Sequence, residues 1–430
     1  MLNAGDQIEL TVEKPAAGGR MLARHDGRIV FVHGAIPGER VRARIERLER
    51  QLAFAATVEI LEASPDRREP RVDLACGSSY AHIEYARQLA LKSAVIQETF
   101  ARLGRIDLPG GLTVQPSPET GYRLRARFHV RDSRRAEKLW FGFYREGTHE
   151  LCDARATGHL LDESIAAVEA ALTAAVALAP VSSVQLSENI PADQRALHFE
   201  AAGDAVVSPR ALESAMRAGQ MRGCSASSAG KAIAAGTPAV EDPLIVLTRG
   251  RAGSGMLRRH AASFFQANRF LLPDLVATVV DAVRPDGDVI DLYAGVGLFS
   301  VALAQSGRER ITAVEGDHTS AADLAQNAAA CGASVRIVAS SVEDYLAGGR
   351  TEAGTIIVDP PRTGISRAAM TAVVARRAQR VVYVSCDPPT MARDARRLLD
   401  GGYRLETLRA FDLFPNTPHV ESVGIFDTAG

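Results

Sequence analysis

The chain has 430 residues, of which 46% are apolar and 23% are charged. This size and composition predict an ordinary globular protein of two or three domains and exclude a chain that is disordered throughout. The formal net charge of −1 and the isoelectric point near 6.8 exclude a chain-wide basic charge of the kind that binds nucleic acid. Any such binding must therefore rest on local segregation of charge.

The N-terminal sequence MLNAGDQIEL lacks the basic leader and apolar stretch of a signal peptide. No later segment approaches the roughly 18 uninterrupted apolar residues that a membrane span requires. We therefore expect a cytoplasmic protein with no membrane segment. Its five cysteines, an odd number scattered along the chain, argue against a disulfide framework and predict reduced thiols.

Residues 1–64 contain the short β segments IELTVEK, GRIVFVHG, ERVRARIERL and AFAATVEIL, separated by glycine and proline. This pattern predicts a small β-barrel. Pro37 and Gly38 suit the central positions of a type II turn, because proline presets φ and glycine accepts a positive φ. Such a barrel is often a nucleic-acid module, although an inert β domain is equally compatible with the pattern.

Residues 65–250 form a mixed region. Apolar residues at helical spacing predict a long helix at about 84–104, and the segment DESIAAVEAALTAAVALA predicts another. The stretch from about 215 to 236 is rich in glycine, alanine and serine, which is typical of a loop or mobile segment.

In residues 251–430 amphipathic helices alternate with the apolar strands DVIDLY, RITAVEG, VRIVAS, TIIVDPP and RVVYVSC. Regular alternation of helix and strand predicts an α/β domain with a Rossmann-like parallel sheet covered on both faces. Ligands of such domains bind at the carboxyl ends of the strands.

The segment DVIDLYAGVGLFS has the form strand, glycine turn, helix. Gly295 and Gly297 permit a tight turn and a close approach to a ligand, and Glu315 at the end of the next strand is placed to bind ribose hydroxyls. Ser300 occupies the position of the third glycine of a dinucleotide site, which disfavours a pyrophosphate. The turn from Asp291 to Gly297 resembles instead the nucleoside site of S-adenosylmethionine methyltransferases. An ordinary tight turn without a ligand is equally compatible with this motif alone.

Two further strands end in reactive groups, Asp359 in IIVDPPRTGI and Cys386 in VVYVSCDPP. A cysteine in a strand is usually a small apolar residue of the core. Cys386 is placed differently, because it stands at the carboxyl end of a parallel strand and faces the predicted ligand crevice.

The motifs DLYAGVGLFS, DPPRTGIS, VSCDPPTMARD and DLFPNTPHVES together resemble the RNA 5-methyluridine methyltransferases. The segment GGRMLARHDGRIVFVHGAIPGERV resembles the TRAM domain that many of them carry. The resemblance implies a TRAM-like RNA-binding barrel over 1–64, a central RNA-binding region over 65–250 whose long helix packs on the catalytic domain, and an S-adenosylmethionine-dependent catalytic domain over 251–430. It implies methylation of uridine carbon 5 in RNA.

The resemblance also implies roles for individual residues. Cys386 matches the nucleophile that adds to carbon 6 of uracil, and Glu421 matches the base that removes the C5 proton. Further positions match cofactor contacts, namely Gln266, Tyr293, Glu315 and Asp359, in addition to the turn at Gly295. Leu298 departs from an asparagine common in the family, so a polar contact is absent there.

RNA contacts are expected in the most basic run of the chain, which has eight Arg or Lys against two acids between Gly121 and Arg145. Arg123, Arg125 and Arg127 alternate along a predicted strand and so share one face. That face is suited to follow phosphates. The alternative is a solvated β face, which is what charge runs usually are. We expect at least one of the rings of Phe264 and Phe265 to pack against the protein.

Some members of the family hold a [4Fe-4S] cluster with four cysteines. Here Cys76 and Cys152 occupy matching positions, but Ser79 replaces a third ligand, and two thiolates do not suffice. We expect no cluster, and Cys224 and Cys331 are interpreted as incidental.

Two other activities compete with this interpretation: an amino-group methyltransferase that uses Asp359 and its two prolines, and a non-catalytic RNA-binding protein. The TRAM resemblance favours ribosomal RNA over tRNA as the partner, and we expect a monomer.

Overall fold

The computed structural model describes residues 2–70, 72–108, 111–133, 138–203, 205–228, 231–349 and 353–428. Five N-terminal strands form a closed barrel with neighbours in the order β1-β2-β3-β5-β4. They are β1 (Gln7–Pro15), β2 (Met21–His25), β3 (Arg28–His33), β4 (Arg40–Leu48) and β5 (Leu52–Glu62). The predicted barrel is confirmed. Strand β2 was not predicted, because its buried residues Met21, Leu22 and Ala23 are consecutive and do not alternate with polar ones.

The turn at Pro37 and Gly38 has the predicted form. Gly38 has a φ of 99°, and the Glu39 amide donates to the Ile36 carbonyl at 3.1 Å, which closes the four-residue turn. The Glu39 carboxylate is fully buried and accepts hydrogen bonds from the Ile36 amide and from the Arg67 guanidinium. The turn therefore fastens the barrel to the segment that follows it.

Helix α1 (Tyr85–Thr99) continues as a π-helical turn over Phe100–Gly104 and leads to the short strand β6 (Val114–Gln115). Leu91 of this helix packs into the apolar core of the barrel, whereas Ile96 and Phe100 pack into the core of the C-terminal domain. The helix thus lies between the barrel and the C-terminal domain and is buried on both sides.

The central region is built on a seven-stranded sheet in the order β13-β12-β11-β10-β7-β8-β9. Its strands are β7 (Arg125–Ser133), β8 (Lys138–Tyr144), β9 (Leu151–Asp153), β10 (Val181–Glu188), β11 (Arg195–Ala201), β12 (Gly223–Ser228) and β13 (Lys231–Gly236). Helices α2 (Asp162–Val176) and α3 (Pro209–Ala218) cover one face, and a 3₁₀ turn spans Arg155–Thr157. The tip between β7 and β8, which carries Arg134 and Arg135 of the basic run, lies outside the described residues.

The prediction of a loop at about 215–236 is wrong. Its first residues belong to α3, and β12 and β13 form a hairpin, of which residues 229–230 lie outside the described part. The small residues serve close packing: Cys224 and Ala226 are fully buried, and a Cβ atom at Gly223 would lie 2.2 Å from the carbonyl carbon of Thr237. Composition alone does not distinguish a flexible glycine from a tightly packed one, and the loop prediction was wrong for this reason.

The prediction that all cysteines are reduced is wrong for two of them. Cys76, before α1, forms a disulfide with Cys152 on β9, with 5.7 Å between their Cα atoms. The other three, Cys224, Cys331 and Cys386, are free. The paired residues are 76 positions apart, so only the tertiary fold brings them together.

A two-stranded hairpin, β14 (Ala239–Pro243) and β15 (Met256–His260), encloses the short helix α4 (Leu244–Leu247). This hairpin crosses the boundary at residue 250, and β6 from the central region pairs with a strand of the C-terminal sheet. The domains of the fold therefore do not correspond to single continuous segments of the chain.

The C-terminal domain is built on an eight-stranded sheet in the order β18-β17-β16-β19-β20-β22-β21-β6. Besides β6 its strands are β16 (Val289–Leu292), β17 (Ile311–Glu315), β18 (Val335–Ala339), β19 (Thr355–Val358), β20 (Arg380–Ser385), β21 (Tyr403–Phe411) and β22 (Glu421–Thr428). Its helices are α5 (Leu272–Ala282), α6 (Leu298–Gln305), α7 (His318–Ala330), α8 (Val342–Ala347), α9 (Arg367–Ala375) and α10 (Pro388–Asp400).

Strands β16 to β20 are parallel, and β22 runs antiparallel between β20 and β21. Consecutive residues of β19, Ile356 and Ile357, enter different apolar cores on the two faces of the sheet. The predicted doubly covered, Rossmann-like sheet is confirmed. None of the helices in the described part of the chain reaches the length and apolar character that a bilayer-spanning helix requires.

Candidate active site

A cavity of about 660 Å³ opens at the carboxyl ends of the parallel strands, within the usual range for small-molecule sites. It is lined by nine of the residues predicted from the sequence: Arg123, Arg125, Gln266, Tyr293, Gly295, Glu315, Asp359, Cys386 and Glu421. Arg127 is not among the lining residues. A cavity of about 960 Å³ at the β21–β6 edge is lined by residues outside the predicted site.

The glycine turn after β16 forms one wall of the cavity. Tyr293, Gly295 and Gly297 have φ values of 63°, 57° and 90°, which fold the backbone back before α6 begins at Leu298. A Cβ atom at Gly297 would lie 2.6 Å from the Leu324 side chain, so only glycine fits. Gly295 lines the cavity, and no atom lies within 4 Å of the place where its Cβ would be, so the turn presents bare backbone there.

Two carboxylates hold this turn. The Glu315 side chain accepts hydrogen bonds from the amides of Gly295 at 2.7 Å and Asp317 at 2.6 Å. The buried Asp291 carboxylate accepts from the amide of Ser300 at 3.1 Å, and its other oxygen has no protein partner. Burial raises the pKa of Asp291 to about 7. The amide at the third glycine position, that of Ser300, therefore has a protein acceptor in Asp291.

Asp359 follows β19 and lies at the bottom of the cavity. Burial raises its pKa to about 7, and a hydrogen bond from the Gln266 amide, 3.4 Å away, acts in the opposite direction. Gln266 belongs to the segment Ser263–Phe270, in which Phe265 is buried and Phe264 is 63% exposed at the cavity mouth. One phenylalanine therefore packs, as expected, and the other faces solvent and the cavity.

Cys386 follows directly on β20. Burial is the largest cause that raises the pKa of its thiol, to about 11, and the nearby carboxylates of Glu421 and Asp359 act in the same direction. The Arg362 guanidinium lowers the pKa through its charge and through a hydrogen bond. Arg362 was missed from the sequence, although it directly follows the two prolines of DPPRTG.

Glu421 is the first residue of β22 and is 2% exposed. Burial, and next the charge of Asp359, raise its pKa well above the ordinary value, while Arg362 lowers it. Strand β22 pairs with β20 in a register that sets Ser422 opposite Ser385. Cys386 and Glu421 each stand one residue beyond this pair, so the antiparallel insertion of β22 brings the carboxyl group and the thiol together.

The three arginines of the basic run are separated. Arg123 and Arg125 line the cavity, where Arg125 donates to the Ser263 carbonyl at 3.1 Å and lies over the Phe264 ring. Arg127 lies on the same face of β7 as Arg125 but outside the cavity, is exposed and pairs with Glu200. The predicted alternation with buried Leu124, Ala126 and Phe128 is observed.

The residues present fit S-adenosylmethionine. Glu315 offers a carboxylate at the position where a ribose binds in parallel α/β sheets, Asp291 retains an unpartnered buried oxygen, and Gly295 leaves room for close approach. Within the described residues no group of three or more His, Cys, Asp or Glu side chains is arranged to hold a metal ion. This fold and site define a class I S-adenosylmethionine-dependent methyltransferase.

Comparison with known proteins defines the family. Residues 210–428 match the model of the tRNA (uracil-5-)-methyltransferase family, and residues 2–58 match that of the TRAM domain. The chain is 31% identical to the 23S rRNA (uracil(1939)-C(5))-methyltransferase RlmD of Pseudomonas aeruginosa, over 98% of this chain and 94% of the relative, and 30% identical to that of Pseudomonas putida, with the same coverage. The chain therefore belongs to the RNA uracil-5-methyltransferase family with an N-terminal TRAM domain.

A solved structure has the same fold. The tRNA (uracil-54, C5)-methyltransferase of Pyrococcus abyssi, in complex with S-adenosyl-L-homocysteine, superposes with a TM-score of 0.74 at 20% identity and covers 97% of this chain and 99% of that one.

Proposed function

We propose that this enzyme methylates carbon 5 of a uridine in ribosomal RNA through a covalent adduct between Cys386 and carbon 6 of the base. The observation that carries the mechanism is the pairing of β20 with β22, which sets Cys386 next to Glu421 in the cavity that holds the glycine turn. A thiol, a carboxyl group and a nucleoside site in one cavity are the groups that this reaction needs.

Carbon 5 of uracil is a weak nucleophile, and covalent catalysis removes that difficulty. Bound S-adenosylmethionine supplies an electrophilic methyl group on its sulfonium. The Cys386 thiolate, formed by loss of its proton to solvent, bonds to carbon 6 and moves an electron pair onto carbon 5 and the O4 enolate. Carbon 5 takes the methyl group, and the C–S electron pair of the sulfonium stays on its sulfur.

Glu421 then accepts the proton of carbon 5, and the electron pair of that C–H bond forms the C5–C6 double bond as the Cys386–carbon 6 bond breaks. The products are 5-methyluridine, S-adenosylhomocysteine and a free cysteine, and Glu421 passes its proton to solvent. Arg362 assists both the first and the last step of the reaction, because its charge lowers the pKa of Cys386 and of Glu421.

The remaining cavity residues bind and orient. We assign Glu315, Gly295, Tyr293, Gln266 and Asp359 to the cofactor, since they line the wall around the glycine turn. Arg123 and Arg125 at the mouth are assigned to phosphates beside the target uridine, and Arg127 outside the cavity to more distant phosphates. The target base must leave its stack to reach Cys386, which costs a few kcal/mol and favours a looped-out uridine.

Ribosomal RNA is preferred over tRNA as the substrate, because relatives that match this chain over nearly its full length act on 23S rRNA by name. The proposal includes a monomer that works in the cytoplasm, where its RNA is found. Size-exclusion chromatography with light scattering tests the monomer, for which a dimer at micromolar concentration is the contrary result.

An amino-group methyltransferase is the alternative chemistry. It would use Asp359, Pro360 and Pro361 to hold an exocyclic amine, but it leaves the adjacent Cys386 and Glu421 without function. The geometry therefore favours carbon 5.

The experiment is trapping with RNA that contains 5-fluorouridine, because fluorine cannot leave carbon 5 as a proton. In the presence of S-adenosylmethionine we expect a denaturation-stable complex with 23S rRNA fragments, abolished in Cys386→Ser and retained in the matched control Cys331→Ser. A complex with tRNA alone would move the substrate assignment to tRNA. No complex with either RNA, from enzyme that binds S-adenosylmethionine, would refute the carbon 5 mechanism.

A further inference from the structure

Residues 412–420 form the loop that joins β21 to β22 and ends at Glu421. This loop, called here the base loop, leads directly into Glu421. Cys386 itself follows β20 and does not belong to the loop. The contacts that hold the base loop therefore act on one of the two reacting groups and not directly on the other.

The start of the base loop is fixed by a buried ion pair. The Lys92 ammonium donates to the Asp412 carboxylate, and both side chains are fully buried. Lys92 also donates to the Phe414 carbonyl at 3.1 Å, and the Tyr85 hydroxyl donates to Asp412 at 2.9 Å. Two side chains of helix α1 thus bind Asp412 and Phe414, the first and third residues of the loop.

The middle of the base loop is fixed at Asn416, which has a φ of 63°. Its amide donates to the Gln88 side chain at 2.9 Å, and its side-chain oxygen accepts from Gln88 at 2.9 Å and from Arg68 at 2.8 Å. Its carbonyl accepts from the Tyr80 amide at 2.9 Å. A conformation that most residues avoid is held here by four hydrogen bonds from outside the loop.

Tyr85, Gln88 and Lys92 lie three and four residues apart and so share one face of α1. The other buried positions of the helix include the apolar Leu91, Val95 and Ile96. A buried lysine and glutamine are costly in a helix packed between two cores unless their polar groups are matched. None of the three side chains lines the active-site cavity. The cost of burying their polar groups is therefore offset by hydrogen bonds to the base loop and not by a substrate.

We propose that Lys92 and Gln88, assisted by Tyr85, are positioning residues that hold the base loop so that Glu421 stays opposite Cys386. This inference rests on the proposed function, since it assigns the loop to proton removal from carbon 5. Because Cys386 lies outside the loop, disturbing these contacts slows proton removal more than it slows formation of the adduct.

The test removes the ion pair as a whole, because removing one partner would leave a buried charge and endanger folding. The variant is Lys92→Met/Asp412→Asn in the full chain. Its matched control is Arg67→Met/Glu39→Gln, which removes a partly buried ion pair at the barrel that does not touch the base loop. Gln88→Met disturbs the loop independently and leaves the Lys92–Asp412 pair intact.

With ordinary uridine RNA we expect turnover to fall about ten- to a hundredfold in both loop variants. The KM for S-adenosylmethionine should stay within about twofold, because the glycine turn is unchanged. A denaturation-stable RNA–protein complex should accumulate in the loop variants and not in the control. Wild-type turnover, or slow turnover without that complex, would overturn the positioning role.

Hydrogen exchange tests the loop without reference to activity. We expect the amides of Asn416 and Thr417 to exchange about tenfold faster in the loop variants, with the amides of β16 unchanged. Unchanged exchange in the loop would overturn the inference. Failure of the wild-type enzyme to form the 5-fluorouridine adduct would refute the proposed function, and exchange would still decide whether α1 holds the loop.

Discussion

Cys386 and Glu421 lie close to each other, because each stands one residue beyond the Ser385–Ser422 pair in the antiparallel register of β20 and β22. Burial is the largest cause that raises the pKa of each, and the charge of Glu421 raises that of Cys386 further. At neutral pH the free enzyme therefore holds Cys386 as a thiol, with a pKa of about 11. Positive charge, from Arg362 and from the bound sulfonium, is what the site needs for activation.

The reactivity of Cys386 in the free enzyme should rise with pH. Below a pKa of about 11 the thiolate fraction grows about tenfold per pH unit, so alkylation by iodoacetamide should follow that slope between about pH 7 and 9. Arg362→Met should slow alkylation, because it removes the charge and hydrogen bond that lower this pKa. Peptide mass spectrometry measures the rate at Cys386 itself. A rate that does not vary with pH would contradict the assignment of a protonated thiol.

S-adenosylmethionine should activate Cys386 more than S-adenosylhomocysteine does. The two occupy the same site, but only the first carries a sulfonium charge, which favours the thiolate by about tenfold or more at short range. Alkylation of Cys386 should therefore be faster with S-adenosylmethionine bound, at matched saturation of the site. Equal rates with the two ligands would show that the sulfonium charge does not reach the thiol.

Replacing Glu421 by Gln should stop the reaction after methyl transfer. A glutamine cannot accept the C5 proton, so turnover should fall about 10²- to 10⁴-fold while the RNA–protein adduct accumulates on ordinary uridine RNA. Denaturing gel electrophoresis with labelled RNA detects the complex. Glu406→Gln, an exposed carboxylate on the adjacent strand β21, is the control. Loss of turnover with no adduct would assign Glu421 to an earlier step.

Glu315→Gln should weaken binding of S-adenosylmethionine. The Glu315 carboxylate holds the amides of Gly295 and Asp317 and faces the cavity, and charged hydrogen bonds contribute about 1.5–3 kcal/mol each. We expect the Kd to rise about tenfold or more by calorimetry. Glu309→Gln, an exposed carboxylate before the opposite end of β17, should leave the Kd unchanged. If both substitutions changed the Kd equally, the assignment of Glu315 to the cofactor site would be contradicted.

The disulfide between Cys76 and Cys152 should stabilise the oxidised protein. It closes a long segment between the region before α1 and β9, and such bonds contribute about 2–4 kcal/mol to the free energy of unfolding. Urea titration should show that the free energy of unfolding falls by this amount when a reductant is added. The stability of the Cys76→Ser/Cys152→Ser variant should not change with the reductant. Alkylation that finds both thiols free under oxidising conditions would contradict the bond.

Several features could be determined from the sequence by itself. Gly295, Glu315, Asp359 and Cys386 stand at or just after the ends of apolar strands, and this placement located the cavity, because parallel strands bring their carboxyl ends to one edge of a sheet. The glycine and proline of the barrel turn were also placed correctly, since φ preferences are local. Motif resemblance identified the family.

The tertiary structure decided what depends on register and packing. The antiparallel insertion of β22 brings Glu421 to Cys386, and the packing of α1 brings Lys92 to Asp412. The Cys76–Cys152 bond and the tightly packed β12–β13 hairpin were invisible to composition and spacing. The physical reason is that periodicity and turn preferences are set by neighbours in sequence, whereas these contacts join residues whose proximity is created only when the sheets and helices pack.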